Sequence, residues 1–186
     1  MLINRFDFAD LPVSPWRNGG GETREIVCQP ADGVDFDWRA SIATIAQDGP
    51  FSAFDGIDRS ITLLEGDGVH LFGDGIDHRL ETAGEPFAFS GDAALQARLL
   101  GGVSQDFNIM TRRGRWRATV RRMTAACELP PAHAGVWYVL RGEWLLPAET
   151  RLGARQGGWW PEAAHGGQAA PLSADALALW ADLSRV

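Results

Sequence analysis

Apolar and polar side chains alternate with period two wherever the chain shows any period. Across residues 36–45, Phe36, Trp38, Ala40 and Ile42 fall on one face and Asp37, Arg39, Ser41 and Ala43 on the other. That is strand spacing, in which successive side chains point to opposite faces. Similar short runs lie at 23–28, 60–64, 69–72, 86–89, 95–100, 106–110, 116–120 and 136–140, and glycine, proline or aspartate separates nearly all of them. Many short strands broken by turn residues predict a β-barrel or sandwich. Residues 175–183 alone could pass for a helix, and a terminal apolar run of that length reads equally as a strand.

A weak internal repeat refines this all-β expectation. Ile61-Thr62-Leu63-Leu64-Glu65-Gly66 followed by Val69-His70-Leu71 resembles Tyr138-Val139-Leu140-Arg141-Gly142-Glu143 followed by Trp144-Leu145-Leu146. Each copy is a strand, a glycine turn and a second strand. Gly84-Glu85-Pro86-Phe87 and Gly157-Gly158-Trp159-Trp160-Pro161 occupy comparable later places. This grammar looks like a cupin half-barrel, and two copies look like a bicupin built from two cupin-like β-barrel or jelly-roll halves. The expected division is residues 1–112 and 113–186.

Composition narrows the chemistry. A chain of 186 residues with 45% hydrophobic and 22% charged residues can bury a substantial core. The net charge of −7 argues against a nucleic-acid or anionic-membrane partner. The local cluster Arg112, Arg113, Arg115, Arg117, Arg121 and Arg122 reads as a solvated strand face. Every basic residue except histidine is arginine, so no lysine Schiff base is available while bidentate carboxylate recognition is. Cys28 and Cys127 are far apart, which indicates neither a disulfide framework nor a zinc knuckle and fits a reduced, cytoplasmic setting. No stretch approaches transmembrane length and the N-terminus lacks signal-peptide character.

Catalytic and metal motifs are thin. His70, His78, His133 and His165 are isolated, so the usual cupin H-x-H set is absent and no metal or other cofactor is expected. Cys127 and His133 read as a small thiol and a nearby ring, not a dyad. Ser90-Gly91-Asp92 reads as a turn. The most unusual stretch is Pro15-Trp16-Arg17-Asn18-Gly19-Gly20-Gly21, where an indole, a guanidinium and a carboxamide abut three glycines. It fits neither phosphate-loop pattern. Either it is a tight turn feeding strand 23–28, or a ligand-facing loop in which Arg17 and Asn18 bond an anion or amide under Trp16. Arg39 and Ser41 share one strand face, as do Asp106, Asn108 and Met110. An arginine turned inward needs a partner. For Arg39 that is Asp106, Glu65 or a ligand carboxylate, and Arg59 carries the same ambiguity.

The blocks Trp16–Thr23, Phe36–Ala43, Asp48–Arg59, Leu63–Gly66, Phe89–Asp92 and Asp106–Met110 resemble, in order and spacing, the successive motifs of the HutD/Ves family. The resemblance covers roughly residues 1–125. It implies a bacterial bicupin without the usual metal set, in some members linked to histidine utilisation. A proposed family role is binding a small acidic intermediate such as formylglutamate. The resemblance implies a pocket lined by Trp16, Arg17, Asn18, Arg39, Ser41, Ser52, Arg59 and Asn108, and Gly19 of the loop is added to them. The leading expectation is thus a metal-free binding or regulatory protein for a small acidic metabolite, able to form a homodimer. The alternatives are a cupin-type isomerase or hydrolase with Glu65 or Asp106 as base, and an interaction protein with no small ligand. A concave pocket holding Arg39, Asn108 and the glycine-rich loop together would favour the first.

Overall fold

A computed structural model describes residues 1–31, 35–162 and 165–186. Its strands begin with β1 (Asn4–Asp7), β2 (Val13–Pro15), β3 (Gly21–Gln29), β4 (Trp38–Ile45), β5 (Gly49–Phe51) and β6 (Ile57–Glu65). Next come β7 (Val69–Gly73), β8 (Ile76–Leu80), β9 (Pro86–Ser90), β10 (Leu95–Leu99), β11 (Ser104–Arg112) and β12 (Trp116–Met123). The remainder are β13 (Cys127–Leu129), β14 (Ala134–Arg141), β15 (Trp144–Leu146), β16 (Thr150–Leu152), β17 (Gln156–Trp160), β18 (Gly167–Pro171) and β19 (Leu177–Arg185). Among the described residues the one helical element is a 3-10 turn, Phe8–Asp10, so no helix is long and apolar enough to cross a membrane. The ambiguous run at 175–183 falls largely in strand β19. Its residues from Leu177 to Ala181 are buried on both faces, so no period-two contrast survives there to read.

The chain forms two compact units, residues 12–115 and residues 1–11 with 116–186. The first eleven residues join the second unit because β1 pairs with β17. In the 12–115 unit a six-stranded sheet in the order β2-β3-β4-β11-β6-β9 accompanies a four-stranded sheet, β5-β10-β7-β8. The other unit has a five-stranded sheet, β1-β17-β14-β19-β12, and a four-stranded one, β13-β18-β15-β16. Neither unit closes into the barrel that the strand pattern suggested, since each remains two separate sheets with hydrogen-bonded edges that stop.

Each unit buries apolar side chains drawn from both of its sheets. In the 12–115 unit, Ile45, Ile61 and Leu63 of the large sheet meet Phe51, Leu71, Leu80 and Leu95 of the small one. In the other unit the space is filled by Trp137, Trp144, Trp160 and Trp180. Burying large rings of this kind is the dominant favourable contribution in a strand-only fold.

Candidate functional site

The long central strands of the six-stranded sheet set out a grid of side chains. β11 pairs antiparallel with β4, opposing Met110 to Arg39, Asn108 to Ser41 and Asp106 to Ala43. On its other side β11 pairs with β6, opposing Met110 to Arg59, Asn108 to Ile61 and Asp106 to Leu63. Directly opposed residues share a sheet face. The face carrying Leu63 and Ile61 is the one packed on the small sheet, so the polar residues of the grid point inward as well.

A cavity of about 470 Å³ opens over this face. Of the residues expected to form a site, Trp16, Arg17, Asn18, Arg39, Ser41, Ser52, Arg59 and Asn108 all line it. Gly19 does not; its φ of +72° instead serves the turn that carries its neighbours. Thr23, Ala43, Pro50, Phe51, Phe54 and Met110 complete the wall together with Pro15. The periodic pattern pointed to Ala43 and Met110 by their faces, whereas the phenyl rings come from the end of the three-residue strand β5 and the turn after it, which show no period.

Arg59 dominates the electrostatics. It is 6% exposed. Its Nη1 donates to the Ser52 carbonyl oxygen and its Nη2 to Asn108 Oδ1, each at 2.9 Å. Its Nε is buried without a hydrogen-bond acceptor, and among the described residues no carboxylate lies within ion-pair distance. The rings of Phe51, Phe54 and Phe89 lie 4.5, 5.2 and 5.3 Å from the guanidinium carbon. Such contacts offset only part of the desolvation of a cation. Burial, and after it the charge of Arg39, lowers the Arg59 pKa to about 10. Arg39 differs: its Nε donates to Glu25 Oε2 at 2.8 Å. The partners anticipated for Arg39, Asp106 and Glu65, are therefore not the ones it uses.

The glycine-rich loop is both a turn and a wall. It joins β2 to β3, whose pairing opposes Pro15 to Glu22 and Ser14 to Thr23. The Trp16 N–H donates to the Gly21 carbonyl at 2.9 Å, and the indole Nε1 donates to Thr23 Oγ1 at 2.8 Å, which fixes the ring beside the cavity. Asn18 Oδ1 accepts from the Gly20 N–H at 2.9 Å, so its amide NH₂ is the group it can present to a ligand. A Cβ on Gly21 would overlap the Thr44 carbonyl oxygen and press on the Trp16 ring, which is why a glycine sits there.

The turn bearing Ser52 and Phe54 is tied down at its far end. Asp92 Oδ1 accepts from the Gly56 N–H at 2.7 Å, and Arg113 bonds Asp92, Asp58 and the Ser90 hydroxyl. The Gly56 bond, then Arg113 and Ser90, hold the Asp92 carboxyl well below the usual carboxylate range. Arg112, Arg115 and Arg121 likewise pair with Asp35, Asp37 and Asp182. Much of the arginine cluster is thus matched by local acids.

Asp106 stands apart. It is 0% exposed, neither carboxyl oxygen has a hydrogen-bond partner, and burial pushes its pKa up to about 7. Elsewhere, His133 Nδ1 is 2.6 Å from Asp182 Oδ1, while burial pushes the Cys127 thiol up, away from the thiolate a nucleophile needs. Among the described residues no three His, Cys, Asp or Glu side chains come together as a metal-ligand set.

Comparison with known proteins adds four findings. A family model described as HutD matches residues 8–178. Protein Ves from Cronobacter sakazakii is 45% identical over 161 residues, covering 86% of this chain and 88% of its own. HutD from Pseudomonas fluorescens SBW25 superposes with a TM-score of 0.87 at 28% identity, covering 100% of both chains. For fold alone, a cupin 2 conserved barrel domain protein from Leptotrichia buccalis gives a TM-score of 0.64 at 11% identity, covering 99% of this chain and 98% of its own.

Proposed function

The chain belongs to the HutD/Ves family, and we propose that it is a metal-free binding or regulatory protein whose cavity takes a small carboxylate. The observation that carries this reading is Arg59, a buried guanidinium that keeps its charge, lacks a carboxylate partner among the described residues and faces a cavity. A ligand carboxylate supplies the missing counter-charge. Arg39 adds positive potential from the neighbouring strand, partly offset by Glu25. The amide groups of Asn18 and Asn108 supply donors, and Trp16 closes one side. In this reading each unit is one cupin-like half of a bicupin divided near residue 112, working in the cytoplasm, with a homodimer as its assembly.

The ligand proposed is formylglutamate or a related intermediate of histidine breakdown, on the strength of the family resemblance. A charge-assisted arginine–carboxylate pair with a few further hydrogen bonds supports binding of roughly −4 to −8 kcal/mol, in the millimolar to micromolar range. Calorimetry with formylglutamate, glutamate and urocanate tests it. Arg59→Gln is expected to weaken binding at least tenfold and Arg39→Ala less, because Arg39 is shared with Glu25. Absence of heat with all three acids, or an unchanged affinity in Arg59→Gln, removes the reading. One observation favours the enzymatic rival: Asp106 is a fully buried carboxyl without a hydrogen-bond partner, and burial raises its pKa to about 7. Turnover of any of the three acids in the same samples would favour it.

A further inference from the structure

The cavity wall reaches two rungs deeper into the sheet than the backbone position of Arg59, and one rung deeper than Asn108, which its guanidinium bonds. Thr23 and Ala43 both line it, and they are directly opposed across β3 and β4. The next side chain in that rung is Asp106, opposed to Ala43 across β4 and β11. Alanine leaves that rung open where a longer side chain would fill it. Along β11 the Asp106 rung lies two residues from that of Asn108, about 6.6 Å at the usual strand rise. Asn108 in turn bonds the Arg59 guanidinium. Asp106 itself does not line the cavity: behind the Ala43 wall the rung continues to this fully buried carboxyl group, whose oxygens bond nothing in the protein, and then to Leu63 of β6. A buried polar group left unbonded costs on the order of 1–3 kcal/mol, and its position beside the cavity wall gives that cost an explanation.

We propose that Asp106 is the inner end of the binding site: as a carboxylic acid it donates its O–H to an uncharged oxygen of the ligand whose carboxylate Arg59 holds. The site then selects acids that carry a carbonyl oxygen about one strand rung from the carboxylate. This rests on the carboxylate reading of the cavity and adds to it a second, proton-bearing contact. The charged groups nearest in the grid are Glu65, opposed to Gln105 at the end of β6, Arg39 on β4, Arg59 on β6 and Glu25 on β3. The small sheet opposite contributes Leu71, Leu95 and Ala97 to the core. Burial alone pushes the Asp106 carboxyl up, so the acid form is the form this environment favours. Above neutrality Asp106 ionises, can no longer donate, and repels an anion nearby.

The probes are pentanoate and 4-oxopentanoate, which differ by one keto oxygen, titrated by calorimetry between pH 6 and 9. Wild type is expected to prefer the oxo acid by about tenfold at pH 6, the size of one net hydrogen bond, and to lose that preference as pH rises past 7. Asp106→Asn keeps a donor and should keep the preference at every pH. Asp106→Leu should bind both acids alike. Equal affinities in wild type at pH 6, a preference that survives in Asp106→Leu, or a pH-dependent preference that survives in Asp106→Asn overturns the assignment of Asp106. Failure of both acids to bind wild type at any pH overturns the carboxylate reading beneath it instead.

Discussion

At the scale of single residues, Asp106 and Arg59 show why a site of this kind is only half legible in a sequence. Period-two alternation placed Asp106, Asn108 and Met110 on one face and Arg39 with Ser41 on another, and the strand register brings those faces together. Which arginine lacks an acid could not be read, because that depends on side-chain reach across strands far apart in the chain. Glu25 reaches Arg39 from fourteen residues away. The buried carboxyl also predicts a stability profile. Its folded pKa, raised to about 7, lies above the unfolded value near 3.8, so between those values the folded state holds a proton that the unfolded chain has lost. Stability from this group therefore falls as pH rises from about 4 to about 7 and is level above. Asp106→Asn should match wild type below pH 4 and exceed it above pH 7, with an upper bound on the order of 4 kcal/mol from the size of the shift. Urea unfolding at pH 4 and pH 8 checks this; an Asn variant less stable than wild type at pH 8 refutes it.

Among the elements, the β2–β3 hairpin carries the clearest lesson. Three consecutive glycines identified a special loop, yet they are not equivalent. Gly19 needs its backbone conformation, with φ at +72° and open space where a Cβ would go. Gly21 needs its missing side chain, because the Thr44 carbonyl of β4 and the Trp16 ring occupy that place. The second constraint comes from a strand more than twenty residues away and leaves no local mark. Gly19→Ala should cost about 1–2 kcal/mol through strain alone and leave ligand affinity near wild type. Gly21→Ala should cost about 1–3 kcal/mol through overpacking and weaken carboxylate binding as well, because Trp16 must move. Thermal unfolding together with calorimetry separates the two, and equal affinity losses in both variants would contradict the distinction. The three-residue strands β5, β13 and β16 lie outside the expected runs for a related reason: three residues give too little alternation to register.

On the scale of the whole molecule, one sequence grammar gave two differently filled units. The repeated strand–glycine–strand pattern was visible, but whether its sheets close was not, since closure depends on pairing between distant edges. The inward face near Arg59 carries small and polar side chains and leaves a cavity; the 116–186 unit spends its interior on tryptophan. Trp137, Trp144 and Trp160 are fully buried. The Trp137 and Trp144 rings meet edge to face at 4.8 Å. Their indole N–H groups, and that of Trp180, are buried with no hydrogen-bond acceptor. A tryptophan held for its volume, with an N–H that bonds nothing, should yield to phenylalanine more readily than to alanine. Trp144→Ala is expected to cost about 3–5 kcal/mol. Trp144→Phe loses part of the ring but also removes an unbonded donor, whose burial costs roughly 1–3 kcal/mol, so its net cost should stay below about 2 kcal/mol. Neither change should alter carboxylate affinity in the folded protein, because the cavity is built wholly from residues 15–110. Denaturant unfolding of the two variants decides the matter: a Phe variant as unstable as the Ala variant would mean that the Trp144 N–H contributes a bond the packing does not reveal.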